Sequence, residues 1–488
     1  MSLSCYQSLF QLWFLSSLRT FFAVVQQLLL RLVASSTATS TPPPLRWEPE
    51  PDAPIDLEKP YNHDRYLDAE TGAFPSKPLP HLPQPFAVFE ELLDLVNGPL
   101  PALSLGEDKS EEAISRRPFG EKWRAKVRAQ PTLDFTSLKD DTPTLQRAHA
   151  VLAWLVHFYV HSTPPPPNKE IVVPASIARP LVQVSQWLKI APVLTYADTV
   201  LWNFELEDAE KEFTANNMTF TTLFNKSNEA ARDESEFYRC CAWIEQRGFD
   251  CTKLITSLVE DLECPPLSND LDKADYHELI ADHLRGLAPV VHDLTDILMS
   301  VKNSCRPNAF YSSIRPWYRG SDTEGEGLRW VYEGVEDCGS LELSGPSAGQ
   351  TSTFHVLDAL LGVQHNDKSR PFMERMLQYM PSEQRALLRH LQHQSHYIRD
   401  LVNESEAVRS AYNAVVDAMA KFRTDHLQVA VRYVVSPKDK CPITGLSAAM
   451  SQAGCPAQQR KSRGTGGNEL STMLKGSRDS TRSMRVVV

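Results

Sequence analysis

Apolar positions along the chain recur at three- and four-residue steps in segment after segment, whereas runs of strict alternation are few, so the pattern predicts a mainly α protein. The clearest segment is 145–161, where Leu145, Ala148, Val151, Leu152, Leu155, Phe158 and Tyr159 make a core-facing stripe that the prolines 164–167 terminate. Further helices are predicted over 174–190, 234–247, 275–302, 351–363, 382–400 and 405–434, joined by segments rich in Gly, Pro, Asp and Ser. No fixed-period repeat is visible. Residues 435–467 are small and polar, and a loop of that length is expected to be either functional, as a mobile lid, or disordered.

At 488 residues the chain exceeds the size at which one core keeps growing, so a small N-terminal domain over about 61–170 and a larger one over 171–488 are expected. Residues 1–34 contain a helix-spaced stripe (Leu18, Phe21, Phe22, Val25, Leu28, Leu29, Leu32) interrupted by Arg19, Arg31 and glutamines, too broken for a membrane span. That amphipathic stretch is consistent with a transit peptide, an interfacial anchor or a packing helix. Residues 35–60, rich in Ser, Thr, Pro and Glu, read as a linker.

With 42% hydrophobic and 23% charged residues the composition is that of a globular protein, and the net charge of −11 argues against nucleic acid and against an anionic membrane face as partners. Nine cysteines, with no CxxC and with Cys240 and Cys241 adjacent, suit a reducing compartment, so the cytoplasm is expected, with a mitochondrial or membrane-associated alternative through residues 1–34.

The 14 histidines invite metal readings. In "HELIADH" His277 and His283 are six positions apart and project in different directions from a helix, so they cannot share a zinc. In "HLQHQSH" the three-residue steps of His390, His393 and His396 drift around a helix, which predicts a solvated face. His426 differs. Met419, Phe422, Val429 and Tyr433 lie at −7, −4, +3 and +7 from it, so its imidazole projects from an apolar stripe and must find a buried partner. Spacing leaves two readings open, a core histidine paired with backbone or water, or an axial ligand to haem iron with the cation Arg423 one turn away.

Several stretches together resemble one family. "RTDHLQVAVRYV" is similar to the proximal-haem helix of the indoleamine 2,3-dioxygenases, and "APVLTYADTVLWNF", "FYSSIRPWYRG", "GPSAGQTSTFHVLDALLGV", "YMPSEQR" and "GTGGNELSTMLKGSRDST" match in the family's order over roughly residues 61–481. The resemblance implies an all-α fold in which a large helical catalytic domain holds b-type haem noncovalently beneath a smaller N-terminal helical domain. It implies a dioxygenase that inserts O2 across the indole C2–C3 bond of L-tryptophan, or a related indoleamine, to give N-formylkynurenine, the first step of the kynurenine pathway and of NAD biosynthesis, with an electron donor keeping the iron ferrous.

By the same resemblance His426 is the proximal ligand, Arg423 with Asp358 meets a haem propionate, and Arg315 grips the substrate carboxylate. Phe310, Tyr196, Thr199, Phe237 and Cys241 wall the indole site. Ser347, Ala348 and Gly349 form a loop beside haem and substrate, Thr465 sits near the substrate ammonium, and no side chain serves as catalytic base. Pro346 departs from the family's glycine-rich loop. Two other classes compete with this reading: a haem-binding sensor or weakly active relative, and a haem-free helical interaction protein.

Overall fold

In the computed structural model the described residues are 45–48 and 66–487, apart from 98–102, 224–228, 264–269, 323–327, 337–342, 368 and 436–469. Thr465, the loop expected over 435–467 beyond its first residue, residues 1–34 and all of the linker except 45–48 lie outside them.

Helices dominate. The first two, α1 (Ala87–Asn97) and α2 (Glu111–Arg128), precede α3 (Thr142–Ser162), whose start is fixed by Asp141 accepting from the Thr144 amide at 3.2 Å and by Pro143 in its first turn. Leu152, Leu155 and Val156 of α3 are fully buried, and every residue from Ala148 to Val160 is buried, as in a helix at the centre of a large body. It packs against α4 (Ala175–Leu188).

The lower half of the molecule is built on two 35-residue helices, α5 (Glu229–Glu263) and α6 (Asp270–Ser304), which lie along one another. Next come α7 (Ser352–Leu361), α8 (Arg370–Met376), α9 (Ser382–Glu404), α10 (Glu406–Ala430) and α11 (Leu470–Arg482). Helix α7 starts on Thr351, which caps the Thr353 amide, and stops at Gly362 in the left-handed region (φ 63°), a conformation that glycine adopts without penalty. Helix α10 packs along α6 on one side and α11 on another, burying Val408, Tyr412, Val415, Val416, Met419 and Phe422.

Three two-stranded ladders tie distant parts of the chain together. β1 (Leu45–Arg46) pairs in parallel with β6 (Val335–Glu336), and β2 (Glu170–Val173) pairs in parallel with β5 (Arg329–Tyr332) in the register Glu170 to Arg329. β3 (Phe204–Leu206) and β4 (Met218–Phe220) are antiparallel. The fold is thus all-α with minor β pairing, as the periodicity predicts. Among the described residues no helix is long and apolar enough to cross a membrane.

One expectation is overturned. His390 is buried rather than solvated, its ring 6.4 Å from that of Tyr66, because α9 turns that face toward its neighbours; His393 is exposed. His283 Nε2 donates to the Asp261 carboxylate at 2.7 Å, a partner other than His277.

Candidate active site

Helices α5, α10 and α11, together with the segments 196–201, 310–318 and 346–351, enclose an apolar chamber of about 1410 Å³ counting its open mouth. The wall breaks helical regularity in three places. The described residues contain three π turns, at Ala197–Leu201, Phe310–Ile314 and Val431–Val435, and all three contribute to the chamber, through Thr199 and Val200, through Phe310, and through Tyr433 and Val434. A π turn inserts one extra residue into a helix and so bulges a side chain outward, which is why such turns gather at functional cavities.

His426 projects from α10 into this space. The fold encloses it, yet its ring keeps accessible surface because that surface faces the chamber. It makes no hydrogen bond with any described residue; its nearest aromatic neighbour is Phe422, at 6.1 Å between ring centroids, itself stacked on Phe354 at 4.3 Å. Burial, with the Arg423 cation adding to it, depresses the His426 pKa to about 4. The imidazole is therefore neutral at ordinary pH and has a lone pair to give. Of the two readings that spacing left open, a core histidine satisfied by backbone does not describe it.

Arg423 lies behind the wall rather than in it. Its guanidinium pairs with Asp358 at 2.5 Å and donates to the Ser477 carbonyl at 3.2 Å and to the Thr481 hydroxyl, bonding α10 to α7 and α11. Neither Arg423 nor Asp358 borders the chamber.

Ten of the residues singled out from sequence do border it: His426, Arg315, Phe310, Phe237, Tyr196, Thr199, Cys241, Ser347, Ala348 and Gly349. Phe310 packs against Phe237 at 4.9 Å and edge-on to Tyr433 at 5.8 Å. The Arg315 guanidinium lies over the Tyr311 ring at 5.6 Å, and burial, partly offset by Tyr311, lowers its pKa to about 10, which leaves it cationic at neutral pH. Thr199 donates to the backbone carbonyls of Tyr196 and Thr195 at 3.1 and 3.3 Å. Ser347 accepts from the Gly349 amide at 3.2 Å and so caps a short turn, 348–350. Gln350 locks that turn in place by donating to the Gly345 carbonyl at 2.9 Å and accepting from the Tyr196 amide at 2.8 Å. The backbones at Gly345 and Tyr318 touch so closely that a Cβ at 345 would overlap the Tyr318 carbonyl, which is why glycine stands there.

Two buried carboxyls next to the chamber escaped the sequence reading. Glu245 accepts from the Tyr196 hydroxyl at 2.9 Å and from Thr353 at 3.3 Å, and burial raises its pKa. Glu234 accepts from the Leu223 amide at 2.8 Å and from the hydroxyls of Tyr238 and Tyr318 at 2.7 and 3.2 Å; burial outweighs those bonds and lifts its pKa to about 8. The signal was present: Glu245 follows Phe237 and Cys241 at four-residue steps, on the stripe that faces the chamber. Among the described residues no carboxylate borders the chamber, His426 is its one imidazole, and no group of three or more His, Cys, Asp or Glu could hold a metal ion.

A helical body that keeps its reactive space inside, apolar and furnished with one neutral imidazole and one arginine, defines an all-α enzyme of the interior-chamber kind. The chain belongs to the indoleamine 2,3-dioxygenase family, whose sequence model matches residues 62–484. It is accordingly a dioxygenase, an oxidoreductase. It is 30% identical over 382 residues to the indoleamine 2,3-dioxygenase of Saccharomyces cerevisiae, covering 72% of this chain and 80% of the yeast protein. Indoleamine 2,3-dioxygenase 2 of Mus musculus is 29% identical over 407 residues (81% and 93% covered), and a 6-hydroxytryptophan 2,3-dioxygenase of Fusarium equiseti is 28% identical over 427 residues (85% and 95% covered).

Proposed function

We propose that the chain inserts both atoms of O2 across the indole C2–C3 bond of L-tryptophan, yielding N-formylkynurenine, with b-type haem held by His426. The observation that carries this reading is His426 itself, a neutral imidazole without a hydrogen-bond partner, facing a large apolar chamber. Leaving a polar group so exposed to apolar surroundings costs about 1–3 kcal/mol unless something binds it, and iron at the centre of a flat apolar macrocycle fits both the lone pair and the wall. The chamber is concave and mostly apolar with a few convergent polar groups, His426, Arg315 and Thr199 among them, which is how small-molecule sites are built. When bound, the haem supplies the site at which O2 is taken up and activated.

The protein's own residues bind, orient and exclude water. Arg315 offers two parallel donors to the tryptophan carboxylate, an arrangement that costs less ordering than a lysine would. Phe310, Phe237 and Tyr196 offer flat or apolar surface to the indole, with Thr199 and Cys241 completing the wall; burial keeps the Cys241 thiol protonated. Ser347, Ala348 and Gly349 present small side chains and so leave space above the ring. Glu234, its pKa lifted to about 8 by burial, puts no negative charge beside the substrate at neutral pH. Arg423, fixed by Asp358 and α11, braces α10 one turn before His426 and its positive field helps keep that imidazole neutral. On this reading residues 61–170 form the smaller part and 171–488 the haem-bearing part.

The test is an absorption spectrum of haem-supplemented protein with and without dithionite and L-tryptophan, followed by assay of N-formylkynurenine. A Soret band that shifts on reduction, with product formed, is expected. A normal Soret band without product would leave a sensor; no Soret band would leave a haem-free interaction protein.

A further inference from the structure

A second chamber has Asp358 in its wall. It occupies about 940 Å³ with its mouth and is bordered by His355, Asp358, His365, Arg370 and Glu374, with aliphatic surface from Ala359, Val363, Met373 and Leu377. Two polar atoms at its wall are buried and unsatisfied. Asp358 is 94% buried, its relative exposure being 6%; its Oδ2 takes both Arg423 at 2.5 Å and His365 Nε2 at 3.1 Å, while its Oδ1 has no hydrogen-bond partner among the described residues. His365 Nδ1 has none either. In the tautomer whose Nε2 donates to Asp358, Nδ1 carries the lone pair, so both orphan atoms are acceptors.

Among the described residues the charges around this chamber do not cancel. Arg423 is matched by Asp358, and Arg370 by Asp367 at 2.9 Å. Glu374 makes no ion pair with a described residue and lies exposed at the mouth. Burial opposes ionisation of Asp358, but Arg423 and His365 overcome it and hold its pKa below the usual carboxylate value, so the orphan oxygen carries charge at neutral pH. A buried charged acceptor left unpaired is costly, and a site of excess negative charge with one aliphatic wall is complemented by a cation that brings several N–H donors on an apolar body.

We infer that this second chamber binds a small organic ammonium, its N–H groups donating to Asp358 Oδ1 and His365 Nδ1 and its apolar body lying against Ala359, Val363 and Met373. The ligand would touch the Asp358–Arg423 pair, and His355, also on this wall, bonds the carbonyl of Gly349, which borders the first chamber at 2.9 Å from His355 Nε2. The two chambers are thus joined by two short routes, although none of the residues bordering the second borders the first.

Isothermal titration of the haem-loaded full chain with benzylamine, and with benzyl alcohol as the uncharged comparator, tests it. Benzylamine is expected to bind one per chain at least about tenfold tighter than the alcohol. His365→Leu, which removes one acceptor, and Glu374→Gln, at an exposed position where folding is insensitive to substitution, are each expected to weaken benzylamine at least about fivefold while leaving the alcohol unchanged. Equal affinity for amine and alcohol, no saturable binding of the amine, or benzylamine binding that neither substitution weakens would overturn the inference. Tryptophan turnover is measured separately, so failure there and failure here are distinguishable.

Discussion

Replacing Glu234 by glutamine should change how stability depends on pH. The carboxyl sits at zero exposure with three hydrogen-bond donors aimed at it and, among the described residues, no cation beside it, and its pKa rises from 4.5 to about 8. Between those two values the unfolded chain has released the proton while the native chain keeps it, so the native state binds more protons and stability falls as pH rises. The loss is about 1.4 kcal/mol per pH unit inside the window and levels off above the native pKa. Between about pH 5 and about pH 8 the group removes roughly 3–4 kcal/mol from the wild type, given its native pKa of about 8.

Glutamine cannot ionise, so Glu234→Gln should escape this loss. It pays instead a constant cost for presenting an amide to the Leu223 N–H, and a constant cost does not alter the slope. Urea unfolding of both chains at several pH values in that range measures the difference, which should grow in favour of the variant by roughly 3–4 kcal/mol from the acidic to the alkaline end. A difference that stays flat to within about 1 kcal/mol would show that Glu234 is already ionised in the native protein and that the reasoning from burial fails.

Three further outcomes are expected. His426→Ala should lose stable haem and fall to background turnover; persistence of a five-coordinate ferrous histidine spectrum would reject the ligand assignment. Arg315→Lys should raise KM for L-tryptophan roughly 10–100-fold, since it gives up a bidentate charged contact, with haem content unchanged; parallel loss of haem and activity would make the residue structural. Gly345→Ala should destabilise the protein by about 1–3 kcal/mol, because its methyl group would meet the Tyr318 carbonyl, and a thermal melt indistinguishable from wild type would contradict the close approach described at that position.

Much of this site could be read in the sequence because its residues sit on regular stripes or in distinctive short motifs. The periodicity of 405–434 placed His426 on an apolar face, and the structure turns that face toward the chamber. What remained hidden has physical causes. Helix α2 buries only Ala113, Gly120, Trp123 and Val127 in 18 residues, so its period is faint, and Pro118 lies inside it. Helix α11 buries Ser477, Ser480 and Thr481 beside Leu474, small polar residues that no hydrophobic pattern reveals. The ladders are two to four residues long and pair across large separations, as Glu170 does with Arg329, leaving too little alternation to detect. The Arg423–Asp358 pairing is the one the resemblance implies; the further bonds of Arg423 to Ser477 and Thr481 depend on α11 meeting α10, which spacing along one helix does not encode.

The π turns also govern which changes of chain length the molecule tolerates. An α-helix advances about 100° per residue, so deleting one residue from 310–314 would restore an ordinary helix and swing everything after it, Arg315 first, by about that angle around the axis. A deletion in 431–435 comes after His426 and would reorient Tyr433 and Val434 while leaving the imidazole where it stands. Length variation near this chamber is therefore directional: trimmed ahead of the arginine it relocates a charge, whereas trimmed behind the histidine it only reshapes a wall.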